Sequence, residues 1–213
     1  MVAAMTVTVF GANGRSGRRV VRRLRERGHE VRAAVRDPRK LRSDDGGATV
    51  VTADVLDTNA VAAAVAGADA VVTVIGHTRG TPPDMQTRGV GHIIAAMQER
   101  GIRRFIALTG SGVRFPGDRP VLADRLLTRM LGYLAPDRLA DGERYARIIA
   151  ESNLDWTIVR APLLHEFTSR RPYRIGPAGP ETGMTCSREN IARFITAELE
   201  EPRHIGRAPV VTD

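Results

Sequence analysis

Phe10-Gly11-Ala12-Asn13-Gly14-Arg15-Ser16-Gly17 decides how the rest of this chain is read. An apolar run from Met5 to Phe10 precedes it and predicts a buried strand. The residues from Arg15 to Arg27 follow it and predict a helix with Val20, Val21 and Leu24 on one face. A glycine turn set between a strand and a helix is the context in which such a motif cradles phosphate. Gly11 permits the tight turn, Gly14 lets the backbone approach a pyrophosphate, and Gly17 lets helix and strand pack closely. The helix N-terminus adds free N–H groups and the positive end of its dipole. The spacing is G-x-x-G-x-x-G rather than G-x-G-x-x-G.

Outward from this turn, strand and helix patterns alternate. Strands are predicted at His29–Val35, Thr49–Thr52, Ala70–Ile75, Arg103–Leu108 and Asp155–Arg160, with Ala208–Val211 as a closing edge strand. Helices are predicted at Asn59–Ala66, Pro83–Arg100, Asp137–Ser152 and Ser187–Glu200, the last with Ser187 as N-cap and Asn190 at its third position. Gly28, Gly67 and Gly101 stand where helices end. Alternation of this kind predicts an α/β fold: a Rossmann-like, doubly wound parallel sheet in one domain spanning residues 1–213. A small substrate-pocket appendage is expected mainly from 110–136 and 162–186. Leu122, Leu126, Leu127, Met130, Leu131 and Leu134 form an apolar stripe at helical spacing. It reads as a lid, a dimer face or core packing, with core packing as the default.

Composition narrows the function classes. The 213 residues carry a formal net charge of +8, but Lys40 is the only lysine among 32 basic residues, and the arginines are spread along the whole chain. A nucleic-acid surface needs a clustered patch and a reading element, and aromatic residues for base stacking make up only 4%. Nucleic acid is therefore not an expected partner. No apolar run is long enough to cross a membrane. Met1 leads almost directly into the first strand, so no signal peptide is expected. The lone Cys186 fits a reducing, cytoplasmic setting, in a monomer or homodimer. His29, His92, His165 and His204 lack metal-ligand spacing, so no metal is expected.

Five segments in order resemble one family: Gly11-Ala-Asn-Gly-Arg-Ser-Gly17, Val35-Arg36-Asp37, Ala53-Asp54-Val55, Leu108-Thr109-Gly110-Ser111 and Glu151-Ser-Asn-Leu-Asp-Trp-Thr-Ile-Val-Arg-Ala-Pro162. Over nearly its whole length the chain resembles the atypical short-chain dehydrogenase/reductases. It is most similar to the NAD(P)H-binding branch around biliverdin-IXβ reductase and flavin reductase. The resemblance implies NADP(H) as cofactor and a small pocket above the nicotinamide. It also implies that Asp54 meets the adenine amino group, that Val55 lies against the ring, and that Pro162 and Leu163 border the nicotinamide.

The residues themselves refine this expectation. Gly11, Asn13, Gly14, Arg15, Ser16 and Gly17 form the phosphate cradle, with Arg15 either a second phosphate contact or a solvated side chain. Arg36 ends the second strand, where an arginine suits the 2′-phosphate of NADP and a carboxylate would suit NAD. Asp37, close to the expected acidic position, reads instead as the cap of the turn opened by Pro38. Asp54 reads equally as a helix cap. Gly76 leaves room for the cofactor ribose, and His77 faces either the cofactor or solvent. Thr109 and Ser111 end the fifth strand, where they would hydrogen-bond a substrate or the nicotinamide, or simply make the turn. His165, after the nicotinamide-side strand, is a further pocket candidate.

The family's Tyr-x-x-x-Lys pair is missing. Tyr133, Tyr145 and Tyr173 are followed four residues later by Asp137, Ile149 and Pro177. Ser111 and Tyr145 remain the catalytic candidates, Tyr145 with a helical core or surface position as its alternative. The expected activity is hydride transfer from NADPH to a small conjugated acceptor that needs no strong enzymic acid, such as a flavin, a quinone or a tetrapyrrole. The alternatives are a non-catalytic NADP(H) sensor and a biosynthetic ketoreductase or epimerase.

Overall fold

A computed structural model describes residues 3–40, 47–167 and 172–213. Residues 168–171 of the expected 162–186 pocket segment lie outside the described residues. The first strand, β1 (Thr6–Phe10), and first helix, α1 (Arg15–Glu26), flank the glycine turn as their periodicities predict. Then follow β2 (Glu30–Val35), a single 3-10 turn at Pro38–Lys40, β3 (Thr49–Thr52), α2 (Thr58–Val65), β4 (Ala70–Thr73), α3 (Met85–Glu99) and β5 (Arg104–Gly110). The second half comprises α4 (Leu122–Leu134), α5 (Pro136–Glu151), β6 (Asp155–Ala161), β7 (Leu163–His165), β8 (Arg174–Gly176), β9 (Thr185–Ser187), α6 (Arg188–Glu200) and β10 (Val210–Thr212).

Eight strands form the main sheet in the order β3-β2-β1-β4-β5-β6-β10-β8. All neighbours are parallel except β10 and β8. The chain runs outward in one direction from β1 to β3 and in the other from β4 to β6. The switch point between β1 and β4 opens a crevice at their C-terminal ends, where folds of this type place ligands. The central strands are apolar on both faces because helices cover both. On one face, Val20, Val21 and Leu24 of α1 pack with Ile191, Phe194 and Ile195 of α6. On the other, α2, α3 and α5 bury Val61, Ile93, Met97 and Ile149 against Phe10, Phe105 and Ile158.

Helix ends follow their local chemistry. Gly28, Gly67 and Gly101 all have positive φ, the conformation that lets the chain leave a helix. Ser187 Oγ accepts from Asn190 N at 3.1 Å, the predicted cap of α6. Gly17 is demanded by packing: a Cβ there would lie 2.1 Å from the Gly11 carbonyl oxygen.

Three expectations change. The last strand, β10, is not an edge: its Val210 pairs with Arg160 of β6, and β8 closes the sheet beyond it. The segment after β6 holds three short strands, with β7 and β9 forming a separate parallel pair. The stripe on α4 is not core packing. Leu122, Leu126, Met130 and Leu134 are exposed, as is Tyr133 beside them. Helical spacing specifies a face but not what covers it.

Candidate functional site

A cleft of about 840 Å³ opens at the switch point. Its floor is the turn after β1, and its walls are the ends of β2, β3 and β4. Gly11, Asn13, Gly14, Arg36, Asp54, Val55 and Gly76 all line it. Gly11 has φ +79°, and a Cβ there would press to 2.9 Å from the Val74 backbone, so the turn crosses close over β4. Gly14 is the N-cap of α1 with an ordinary φ of −70°. A Cβ at Gly76 would meet no atom of the described residues within 4 Å, so the space beside it is open.

Arg36 stands at the outer end of the cleft, its Nη2 donating to Thr78 Oγ1 at 3.2 Å. Arg79 lines the same end. Asp37 also lines it, but its carboxylate accepts from Arg39 Nε at 2.9 Å and from Arg39 N at 3.2 Å. That matches the predicted cap of the turn. Asp54 lines the cleft, but it is not the helix cap: its Oδ1 accepts from Leu56 N at 2.9 Å in the turn before α2, and the cap of that helix is Asp57, which accepts from Asn59 N and Ala60 N. Val55 is buried against α3, where a Cβ on Gly89 would approach its Cγ2 to 2.8 Å.

Does this cleft fit a dinucleotide? The glycine turn presents the unpaired N–H groups of α1. Asn13 Oδ1 is buried and finds no donor among the described residues, which leaves an acceptor for a ligand hydroxyl. Guanidinium groups stand at the outer end, the part of the cleft beyond β2. The residues fit a dinucleotide.

Other predicted site residues lie elsewhere. Arg15 and Ser16, in the first turn of α1, do not line this cleft: Arg15 Nη1 is 3.3 Å from Glu166 Oε1 and Ser16 Oγ accepts from Arg188 Nη1 at 3.0 Å. Thr109, Ser111, Pro162 and Leu163 gather at the adjoining ends of β5 and β6, where Thr109 pairs with Arg160 and Ser111 N donates to Ala161 O at 2.8 Å. None of these four lines the switch-point cleft.

His77 neither lines the cleft nor faces solvent. Its side chain is 8% exposed and its Nε2 lies 2.9 Å from Asp141 Oδ2. Asp141, on α5, is fully buried and accepts from Gln86 N at 2.9 Å, from Thr87 N at 3.1 Å and from the Thr87 hydroxyl. A carboxylate from one helix thus caps another and holds the loop after β4. His165, the other candidate histidine, has its Nε2 2.6 Å from Asp213 Oδ2.

Tyr145 as a catalytic group is corrected. Its side chain is fully buried in the apolar layer beside Ala146 and Ile149. Burial pushes the phenol well above its usual range, and nearby Asp141 adds to the effect. The phenol is buried near Thr73 and does not line the cleft, which places it as a core side chain.

The pocket appendage is organised by a buried ion pair that sequence reading missed. Arg160 and Asp118 side chains are 2% and 4% exposed. The guanidinium grips the carboxylate at 2.5 and 2.8 Å, donates to Ala208 O and Val113 O, and stacks over Phe115. Asp118 also accepts from Phe115 N and Ala178 N, each at 2.9 Å. One carboxylate therefore ties the loop after β5 to the segment after β8. Although burial opposes ionisation, the Arg160 and backbone hydrogen bonds hold the Asp118 carboxyl below its usual range.

Comparison with known proteins agrees with this architecture. The chain is 37% identical over 215 residues to the 3-diazoavenalumate denitrifying reductase of a Streptomyces species, an alignment of 93% of this chain and 64% of that one. It thus spans under two thirds of that relative's length. A Bacillus halodurans protein named as an NAD-dependent epimerase/dehydratase is 26% identical with a TM-score of 0.79, over 99% of this chain and 94% of that one. A Veillonella parvula short-chain dehydrogenase/reductase, solved in complex with NADP, shares the fold at 19% identity and a TM-score of 0.78, over 99% and 95% of the two chains. The family model described as NAD(P)H-binding matches residues 11–202. The glycine cradle, the switch-point cleft and this match agree: the chain belongs to the NAD(P)H-binding family and has a Rossmann fold.

Proposed function

We propose that this protein is an NADPH-dependent reductase that delivers hydride to a small conjugated acceptor without a tyrosine–lysine pair. The observation that carries the reading is Arg36, a guanidinium at the end of β2 lining the adenosine end of the cleft, while the neighbouring Asp37 carboxylate is taken up by Arg39. Bound in this orientation, the cofactor supplies hydride from its nicotinamide. The chain's own residues hold it. The amides of the glycine turn bind the pyrophosphate, Arg36 the 2′-phosphate, and Asp54 the adenine edge. Gly76 gives the ribose room. Thr109 and Ser111, at the ends of the central strands, position the acceptor.

With Tyr145 in the core, the acceptor is one whose reduction needs no strong acid from the protein, its proton coming from water. Flavins, quinones and tetrapyrroles have this character. The diazo compound in the name of the Streptomyces relative supports the same class of electron-poor acceptor. One observation favours a second reading, a non-catalytic NADP(H) sensor: the exposed apolar face of α4 has the character of a surface that macromolecular partners cover.

Cofactor titration tests the carrying observation. NADPH is expected to bind more tightly than NADH. Arg36→Ala should weaken NADPH by about 10- to 150-fold, the worth of one hydrogen bond to a charged group, and leave NADH nearly unchanged. Equal affinities of the parent protein for the two cofactors would remove Arg36 from the site.

A further inference from the structure

Three arginines from two separate helices converge on one carboxylate beside the glycine turn. Glu166, just beyond β7, meets Arg188 Nε at 2.7 Å, Arg19 Nη2 at 2.9 Å and Arg15 Nη1 at 3.3 Å. The three guanidiniums leave an excess of positive charge that one carboxylate does not balance. They hold Glu166 in its ionised form below the usual carboxyl range, against the cost of its partial desolvation. Arg188 is the unusual member. It is the first residue of α6, far from the glycine motif in sequence, and its side chain is only 11% exposed. Its other arm donates to Ser16 Oγ at 3.0 Å, inside the first turn of α1.

We propose that Arg188 is a ligand for the pyrophosphate of the dinucleotide, and that Glu166 is an internal anion which the pyrophosphate displaces. The first turn of α1 is where the N–H groups and dipole of the helix gather a phosphate. A guanidinium fixed on the Ser16 hydroxyl stands beside that turn, with a planar fork suited to two phosphate oxygens. Glu166 pairs with the fork within the protein and offsets part of the cluster's positive charge, leaving a net attraction for a second anion. When the dinucleotide enters, its negative charge takes over the guanidiniums and releases Glu166. Glu166 directly follows β7, on the substrate side. The exchange therefore links arrival of the cofactor to the segment that borders the substrate.

The proposal rests on dinucleotide binding in the cleft but not on the preference for NADP. Its test compares variants within each cofactor. Affinities for NADPH, NADH and adenosine 2′-monophosphate are measured for the parent, Arg188→Gln and Glu166→Gln, with unfolding temperatures taken without ligand. Arg188→Gln should weaken NADPH and NADH by the same factor, about tenfold or more, because both carry the pyrophosphate. Glu166→Gln should tighten both, by about three- to tenfold, because a competing anion is gone. Adenosine 2′-monophosphate, which has no pyrophosphate, should bind all three proteins alike. If the contacts only brace the fold, both variants break the same brace, so weakening by both would overturn the proposal. An Arg188→Gln protein that binds as the parent does, or a Glu166→Gln protein that binds no tighter, would overturn it equally. Should Arg188→Gln fail to fold, Arg188→Lys keeps the charge but loses the fork, and a loss of at least threefold for both dinucleotides is expected; parent-like binding by Arg188→Lys then counts against the assignment.

Discussion

Asp118→Ala should cost about 3–5 kcal/mol of folding stability, the penalty for leaving one member of a buried ion pair without its partner. The Arg160 guanidinium would remain buried, and the amides of Phe115 and Ala178 would lose their acceptor. In a domain of this size the loss corresponds to a fall of roughly 6–20 °C in unfolding temperature. The same pair sets a pH dependence. The folded carboxyl titrates below its unfolded value, so its contribution is complete above about pH 4 and is lost as the pH falls through the folded value. Thermal unfolding of parent and variant from neutral to acid pH reads this directly. The difference between them should shrink on acidification. A variant that melts with the parent at neutral pH would show that the pair does not hold the appendage together.

Gly14→Val should abolish measurable dinucleotide binding while leaving the protein folded. At Gly14 an added Cβ meets only the Gly11 carbonyl oxygen, at 3.1 Å, and φ is in a region open to any residue. The valine methyls would then project to where the pyrophosphate approaches the turn. Loss of two charge-assisted hydrogen bonds alone is worth more than about 100-fold in affinity. Gly17 offers no such separation of effects: its Cβ would collide with the Gly11 carbonyl, and an alanine there should unfold the turn itself. Calorimetric titration with NADPH and NADH, beside a melting curve, distinguishes the two positions. Normal binding by a folded Gly14→Val protein would mean that the turn is only a structural joint.

The parts of the molecule that the sequence makes legible are those set by local chemistry. The glycine turn, the alternating βα units, the helix-ending glycines and the Ser187 cap each depend on residues a few positions apart. The lining of the cleft is legible for the same reason, because Arg36, Asp54 and Gly76 each follow the end of a strand. What escapes is long-range pairing. His77 and Asp141 are 64 positions apart, and Arg160 and Asp118 are 42 apart. No periodicity connects them, so Asp141, Asp118 and the Arg188–Glu166 contact could be found only in three dimensions. The three short strands after β6 have three residues each, too few for an alternating pattern. Tyr145 shows the converse error. A tyrosine on the helix before β6 resembles a catalytic group by position, yet the same helical spacing places it among Ala146 and Ile149 in the core.

The central claim is that this site transfers hydride, and turnover with NADPH deuterated at nicotinamide C4 tests it most directly. A set of flavin, quinone, dicarbonyl and aryl diazo acceptors is offered under anaerobic conditions to the parent and to Tyr145→Phe. The account predicts oxidation of NADPH with at least one acceptor and a primary isotope effect on that oxidation. It also predicts a rate for Tyr145→Phe within about tenfold of the parent, smaller than the 10²–10⁴-fold loss of a true general acid. Tight NADPH binding with no oxidation by any acceptor, or a loss of several hundredfold in kcat for Tyr145→Phe at unchanged NADPH affinity, would contradict it.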